Sequence, residues 1–291
     1  MNNLEGLYRK GIELLRKNPQ NQLEARLILL DCFDLTYEDL IKNPKLDVSE
    51  NAAKRYLHKI GKRQKGYPLS YLTGKKEFWS IPFFVKKGVF IPRPETELII
   101  ETVLAVNSVI DPTIADIGTG TGNIAISLAK ELPEAKVYAS DISKKAIRTA
   151  KKNARIQGIK GIQFIHGSIF DPLRRKKLYR EFDFILSNPP YVSNEEWENL
   201  PDEIKLHEPK RSLVSIDSGL DFIKKMIGSA HKFLKPGGHL IFEIGFGQEN
   251  KVLDLFSDEW TEIQCRDDLS GIPRVITALY LGQTDICQIN K

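Results

Sequence analysis

The sequence predicts an α/β fold: a mostly parallel sheet with helices on both faces, preceded by a small N-terminal helical bundle and a β-hairpin linker. Three observations lead there. Apolar, β-branched runs alternate with helical stretches from about residue 113 to 244, the alternation of βαβ units. The first of those runs enters a glycine-rich turn, Gly118-Thr119-Gly120-Thr121-Gly122. Residues 1–75 instead carry leucines at helical spacing.

In that first segment Leu4, Leu7, Leu14 and Leu15 fall on one helical face, and Leu23, Leu27 and Leu30 form a second stripe. Thr36 is placed to cap a third helix with Glu38 and Asp39 in its first turn, where acids suit the helix dipole. Ser49 caps a fourth, carrying Ala53, Tyr56, Leu57 and Ile60. The basic run from Lys59 to Gly66 reads as a solvated helix end. From Tyr67 to Pro94 the residues turn aromatic and β-branched, with Gly74, Pro82 and Gly88 as punctuation, which predicts a strand pair. Thr96 or Glu95 then opens a helix to about Val106.

Strands are expected at 113–117, 136–141, 162–166, 181–187 and 238–244, with helices near 122–131, 143–157 and 218–234. Two last strands, 260–266 and 273–282, are expected to pair antiparallel at one edge. The resulting organisation is a bundle over 1–75, a hairpin linker over 76–94, the main α/β domain over 95–283 and a loose polar tail over 284–291.

Composition narrows the class. Hydrophobic residues make up 41% and charged residues 28% of the 291, the balance of a soluble globular protein. A net charge of +5, from 43 basic and 38 acidic side chains, permits an acidic partner without requiring one. Cys32, Cys265 and Cys287 are far apart and the five histidines lack ligand spacing, so neither a disulfide framework nor a metal site is indicated. No basic-then-apolar leader and no run of membrane-spanning length stands out, and a cytoplasmic protein is expected.

The glycine turn lets backbone N–H groups approach a ligand at a helix N-terminus. A dinucleotide fingerprint would place its third glycine at position 123, which is Asn123, so a nicotinamide enzyme is disfavoured. The second strand ends in Asp141, about 20 residues past the glycine turn and placed to accept both ribose hydroxyls. The same residue is also a favoured helix cap. With Asp116, Ser168 and Asn188 it ends one of four successive strands, where open α/β sheets bind ligands.

Beyond the fourth strand, Asn188-Pro189-Pro190-Tyr191 is a stiff turn. Proline fixes its own φ and keeps the preceding residue out of the helical region, which leaves the Asn188 carboxamide oxygen and the Pro189 carbonyl as adjacent acceptors. Two acceptors beside the ring of Tyr191 suit a planar NH2 group, either a carboxamide or an exocyclic base amine. The alternative is a strand that simply ends in a rigid turn.

The glycine loop with Asp141 resembles class I S-adenosylmethionine methyltransferases, and Asn188 to Tyr191 resembles their amino-methylating branch. Further stretches are similar to the release factor glutamine methyltransferase family (PrmC, formerly HemK): Tyr67-Pro68-Leu69, Phe78-Trp79, Ile91 to Glu97, His207-Glu208-Pro209, Gly219 to Phe222, Leu234 to Gly238 and Glu243-Ile244-Gly245. The resemblance spans roughly residues 1–282. It implies a Rossmann-like methyltransferase domain in which Gly118, Thr119, Gly120, Thr121 and Gly122, with Asp116, cradle S-adenosylmethionine, released as S-adenosylhomocysteine. Asp141 takes the ribose, Ile169 lies by the adenine, and Asn188 adjoins the reacting end. Asn188, Pro189, Pro190 and Tyr191 receive the glutamine of a Gly-Gly-Gln loop in class 1 peptide chain release factors. Ser168-Ile169 stands where that family commonly has Asp-Trp, and Ser215-Ile216 where it has Gly-Gly. Two other acceptors fit the same clamp: a glutamine of ribosomal protein uL3, and adenine N6 in nucleic acid. Against the second, no recognition domain is evident and the charge is modest. A cofactor-binding adaptor without catalysis is the remaining reading, and the intact Asn188–Tyr191 turn weighs against it.

Overall fold

The computed structural model describes residues 3–282. The tail expected to be loose, with Cys287, lies outside them. The chain divides into two compact units, one running through Lys75 and including Pro201–His207, the other comprising Lys76–Leu200 and the chain from Glu208 on.

The first unit is helical: α1 (Leu4–Leu14), α2 (Asn21–Phe33), α3 (Tyr37–Lys42), α4 (Glu50–Gln64) and α5 (Leu69–Thr73), with the short helix Asp202–His207. Its caps follow the sequence. Thr36 and Asp39 form a reciprocal capping box, and Ser49 accepts the Ala52 N–H. Three expectations are corrected. Leu23 and Leu27 are exposed, and α2 buries Ala25, Ile28 and Leu29 instead, one residue round the helix. The physical reason is Glu24, which is buried on that face and bonded to Arg63 by two hydrogen bonds of 2.6 and 2.9 Å. The basic run is likewise not simply solvated: Lys59 pairs with Asp31 at 2.6 Å, and Arg63 also reaches Glu203 at 2.7 Å. Leu14 is exposed while Leu15 is buried.

In the second unit, β1 (Lys75–Phe78) and β2 (Ile81–Phe84) form a separate two-stranded sheet. Its turn residues Trp79 and Ser80 have φ of 52° and 54°, the left-handed pair a tight hairpin needs. The Trp79 N–H donates to Glu97 at 2.8 Å. The main sheet has seven strands: β3 (Thr113–Ile117), β4 (Lys136–Asp141), β5 (Gln163–His166), β6 (Phe182–Ser187), β7 (Leu234–Glu243), β8 (Trp260–Asp267) and β9 (Pro273–Tyr280). Their order is β5-β4-β3-β6-β7-β9-β8. The first five are parallel; β9 and β8 add antiparallel at the β7 edge. The chain therefore steps outward from β3 to one side and resumes at β6 on the other, so the strand order reverses between β3 and β6.

Alternate residues feed two cores. Leu240 and Phe242 pack with Ile185, Phe233 and Met226, whereas Ile241 packs with Phe184, Leu186 and the helix α6 (Glu97–Val106) through Ile99, Ile100 and Val103. Helices α7 (Asn123–Glu131) and α8 (Lys144–Ile156) connect β3 to β4 and β4 to β5. The expected third helix is shorter than its sequence pattern, Asp221–Ala230, because Leu234 already pairs with Phe182 at the start of β7.

Candidate active site

A cavity of about 310 Å³ opens beyond the carboxyl ends of β3, β4, β5 and β6, at the point of strand-order reversal where such sheets bind ligands. Gly118, Thr119, Gly120 and Thr121 line one wall. The loop is pinned to β4 by the Gly118 and Thr119 N–H groups, which donate to the Ser140 carbonyl at 2.8 and 2.9 Å. Gly118 and Gly120 have φ of 79° and 57°, and a Cβ on either would approach nothing closer than 3.9 Å. These positions leave open space against the backbone on the cavity side. Gly122 differs: it does not line the cavity, and a Cβ there would meet Ile126 and Ala150 at 2.9 and 3.0 Å. Its absent side chain serves helix packing.

Asp116 also lies beneath the loop rather than in it. It is fully buried, and its Oδ2 accepts the Thr119 hydroxyl at 2.6 Å and the Ala125 N–H at 3.3 Å. Its Oδ1 has no partner. Burial pushes this carboxyl up to about 7 against those two bonds. The residue expected to touch a cofactor thus lies under the turn that lines the cavity and braces it.

Asp141 does reach the cavity. Oδ2 accepts the Gly120 N–H at 2.9 Å and Oδ1 the Ser143 N–H at 2.7 Å, so each oxygen retains one acceptor direction for a diol. Burial raises its pKa, and the two backbone bonds and the charge of Arg211 oppose that. The helix cap itself is Ser143, which accepts the Ala146 N–H at 3.2 Å, leaving Asp141 for a ligand. Ser168 and Ile169 line the far end; Ile169 has a φ of 41°, rarely tolerated by a β-branched side chain and common where a site stores strain.

Asn188 and Pro190 line the cavity, whereas Pro189 and Tyr191 do not. The Asn188 Nδ2 donates to Thr96 Oγ1 at 2.8 Å, and the Thr96 hydroxyl donates to Glu243 Oε2 at 2.6 Å. The Tyr191 hydroxyl donates to the other Glu243 oxygen at 2.8 Å. Tyr191 is therefore anchored inward by its phenol, and the aromatic residues that line the cavity are Phe90 and Phe222. Burial pushes the Tyr191 phenol up, helped by the Glu243 charge. The Glu243 carboxyl is raised by burial against its bonds to Thr96 and Tyr191.

The turn is held from several sides. Gln248 Nε2 donates to the Tyr191 carbonyl at 2.8 Å, the Val192 N–H donates to Leu213 O at 2.8 Å, and Ser187 Oγ donates to Ile117 O at 2.7 Å. Arg93 and the buried Glu208 form an ion pair, and Glu208 also accepts the Ile91 N–H at 3.2 Å, which ties together the two segments that bring Pro92 and Pro209 to the cavity. Thr96, Glu243 and Glu208 all fall in stretches the sequence singled out, but no role for them follows from sequence spacing. Thr96 does open α6, at its N-cap position, but without a side-chain capping bond: a 3-10 turn, Pro94–Thr96, precedes the helix, and the Thr96 hydroxyl is spent on Glu243.

A parallel sheet with an antiparallel edge, a glycine cradle after β3, an acid after β4 and an Asn-Pro-Pro-Tyr turn after β6 define a class I methyltransferase. The chain matches the methyltransferase domain family over residues 111–264 and the PrmC N-terminal domain family over residues 6–74. It is 34% identical over 279 residues to the release factor glutamine methyltransferase of Fusobacterium nucleatum, covering 94% of this chain and 77% of that one. With the release factor glutamine methyltransferase of Moorella thermoacetica the identity is 40% over 239 residues, covering 80% and 82%. The solved hMettl16 catalytic domain, in complex with a MAT2A 3'UTR hairpin, shares the fold with a TM-score of 0.56 at 16% identity, covering 81% of this chain and 84% of that one. The chain belongs to the release factor glutamine methyltransferase family.

Proposed function

We propose that this protein methylates the side-chain amide nitrogen (N5) of the glutamine in the Gly-Gly-Gln motif of class 1 peptide chain release factors, in the cytoplasm, with S-adenosylmethionine as donor. The observation that carries the reading is Asn188. Its nitrogen is engaged by Thr96, and both residues line the cavity, so the carboxamide oxygen is the end left for an incoming NH2. The relatives' names supply the class of substrate.

The donor fits the residues present. Gly118 and Gly120 leave room against the backbone for its amino-acid portion, Asp141 offers two acceptors for its ribose, and Ile169 and Phe222 provide apolar surface for its base. When bound, it supplies a methyl group already activated on a sulfonium. The protein's own task is then alignment, since well-oriented reactants gain effective molarities of about 10⁵–10⁸ M. Asn188 Oδ1 accepts an amide hydrogen of the substrate, which raises electron density on a nitrogen that is otherwise a poor nucleophile. The displaced proton leaves to water. The N-terminal helical unit, through Lys75, serves as the docking module for the release factor, and residues 76–94 join it to the catalytic domain.

The test is incubation of the protein with S-adenosylmethionine and, in separate arms, a release factor, ribosomal protein uL3 and DNA. Mass spectrometry should find a gain of about 14 Da on the Gly-Gly-Gln glutamine. Methylation confined to either other arm would refute the assignment.

A further inference from the structure

We infer that Thr96 and Glu243 are positioning residues that decide which way round the Asn188 carboxamide sits, holding its oxygen toward the cavity. The inference rests on the glutamine-methylating reading above, which needs an acceptor at that point.

The two ends of a carboxamide are nearly alike in size, so the polarity of its neighbours selects its orientation. Glu243 ends β7 and is 1% exposed. One of its oxygens faces the Thr96 hydroxyl at 2.6 Å and the other the Tyr191 hydroxyl at 2.8 Å. Each Glu243 oxygen thus has a hydroxyl donor facing it, and in its ionised form the carboxyl accepts from both, which commits the single Thr96 hydroxyl hydrogen to Glu243. Thr96 Oγ1 is left with lone pairs alone, and what stands 2.8 Å from it must be a donor. Asn188 supplies one by turning its NH2 inward.

Flipped over, Asn188 would set Oδ1 against the Thr96 lone pairs with no hydrogen between them. It would also aim its own N–H groups at those of an arriving amide. Both contacts are repulsive, and low exposure strengthens the bias: Thr96 is 1% exposed, so water cannot substitute for the missing partner. Glu243 does not line the cavity, so it has no route to a ligand there except through Thr96 and Tyr191. The chain of direction runs over elements far apart in sequence: the end of β7, the turn before α6 and the turn after β6.

Three variants test this in the full chain: Thr96→Val, which keeps shape and loses both hydrogen-bonding roles; Thr96→Ser, which keeps the hydroxyl; and Glu243→Met, which keeps length and removes the acceptor. The measurements are kcat and KM for the release factor, the dissociation constant for S-adenosylmethionine, the urea midpoint, and the Asn188 side-chain NH2 resonances, identified by their loss in Asn188→Ala. Losing one preorganised partner predicts that Thr96→Val and Glu243→Met lower kcat by about 100-fold or more, with donor binding little changed. Their Asn188 NH2 resonances should shift, and Thr96→Ser should restore both signals. If Thr96→Val keeps normal kcat, or loses activity only through donor binding, the positioning role is wrong. If the wild type methylates no glutamine at all, the proposed function fails, and the resonances decide this point alone. An NH2 signal unmoved in Thr96→Val then overturns the inference.

Discussion

Gly122 sits so close to Ala150 of α8 that a Cβ added to it would lie 3.0 Å from the alanine Cβ and 2.9 Å from the tip of Ile126. Two turns of the same glycine run therefore do different work. Gly122, at φ 83°, lets α7 start against α8, whereas Gly120, at φ 57°, leaves a gap for a ligand. Gly122→Ala combines a left-handed alanine with an overpacked contact, and should cost about 3 kcal/mol in urea unfolding. Gly120→Ala should cost about 1 kcal/mol of stability, while weakening donor binding far more than Gly122→Ala does. Calorimetric titration of both variants separates the two roles, and equal losses of affinity would show that the distinction is wrong.

Asn188→Ala should retain donor affinity and lose roughly 100- to 1000-fold in single-turnover methylation, the size expected for one preorganised hydrogen-bond partner. The partner residues make a specific demand on this variant. Thr96 keeps its bond to Glu243, so the site should stay folded and the loss should sit in kcat. Turnover close to that of the wild type would remove Asn188 from the reaction.

The central α/β architecture was legible because its signals are local. Strand runs of about five residues, glycine turns and caps such as Thr36 and Ser49 each act within a few positions of chain. The cavity followed from topology, since residues that end parallel strands share one edge of the sheet. Asp116 and Tyr191 could be placed at that edge from sequence, but not oriented. Whether a side chain turns into the cavity or under it depends on partners such as Thr119 and Glu243. The Thr96–Glu243 bond joins residues 147 positions apart, with no spacing rule to announce it. The rotation of α2 failed for a related reason: its apolar residues surround the helix, and the polar Glu24–Arg63 pairing chose the buried side.

The buried Asp116 gives the second unit a predictable pH dependence. Its folded pKa of about 7 lies above the ordinary 3.8, so the folded state holds a proton there that the unfolded chain releases. By linkage, this residue's contribution is most favourable below pH 4, falls as pH rises to about 7, and is constant above. The full shift corresponds to about 4 kcal/mol at most. Asp116→Asn retains an acceptor for Thr119 and Ala125 but cannot titrate. The difference in urea stability between variant and wild type should therefore move in the variant's favour between pH 4 and 7. A difference that stays constant across that range would show that Asp116 is ionised throughout.

In the helical unit, the Arg63 guanidinium makes two bonds to Glu24, one to Glu203 at 2.7 Å and one to the Tyr67 carbonyl at 3.2 Å. Asn18 adds a further donor to Glu24 at 2.6 Å. The Glu24 side chain is only 7% exposed and that of Arg63 12%, while Glu203 is 37% exposed. The cost of losing Arg63 therefore falls on Glu24, since Glu203 can turn to water. Arg63→Met should destabilise the protein by about 3–5 kcal/mol, because it strands a charge in a desolvated place. Removing both charges, as Glu24→Leu with Arg63→Met, should recover most of that loss, since an apolar pair needs no compensation for desolvation. The urea midpoints of the wild type, both single variants and the double variant form the required cycle. If the double variant is no more stable than Arg63→Met, the penalty lies in lost packing of the arginine stem and not in the stranded carboxylate.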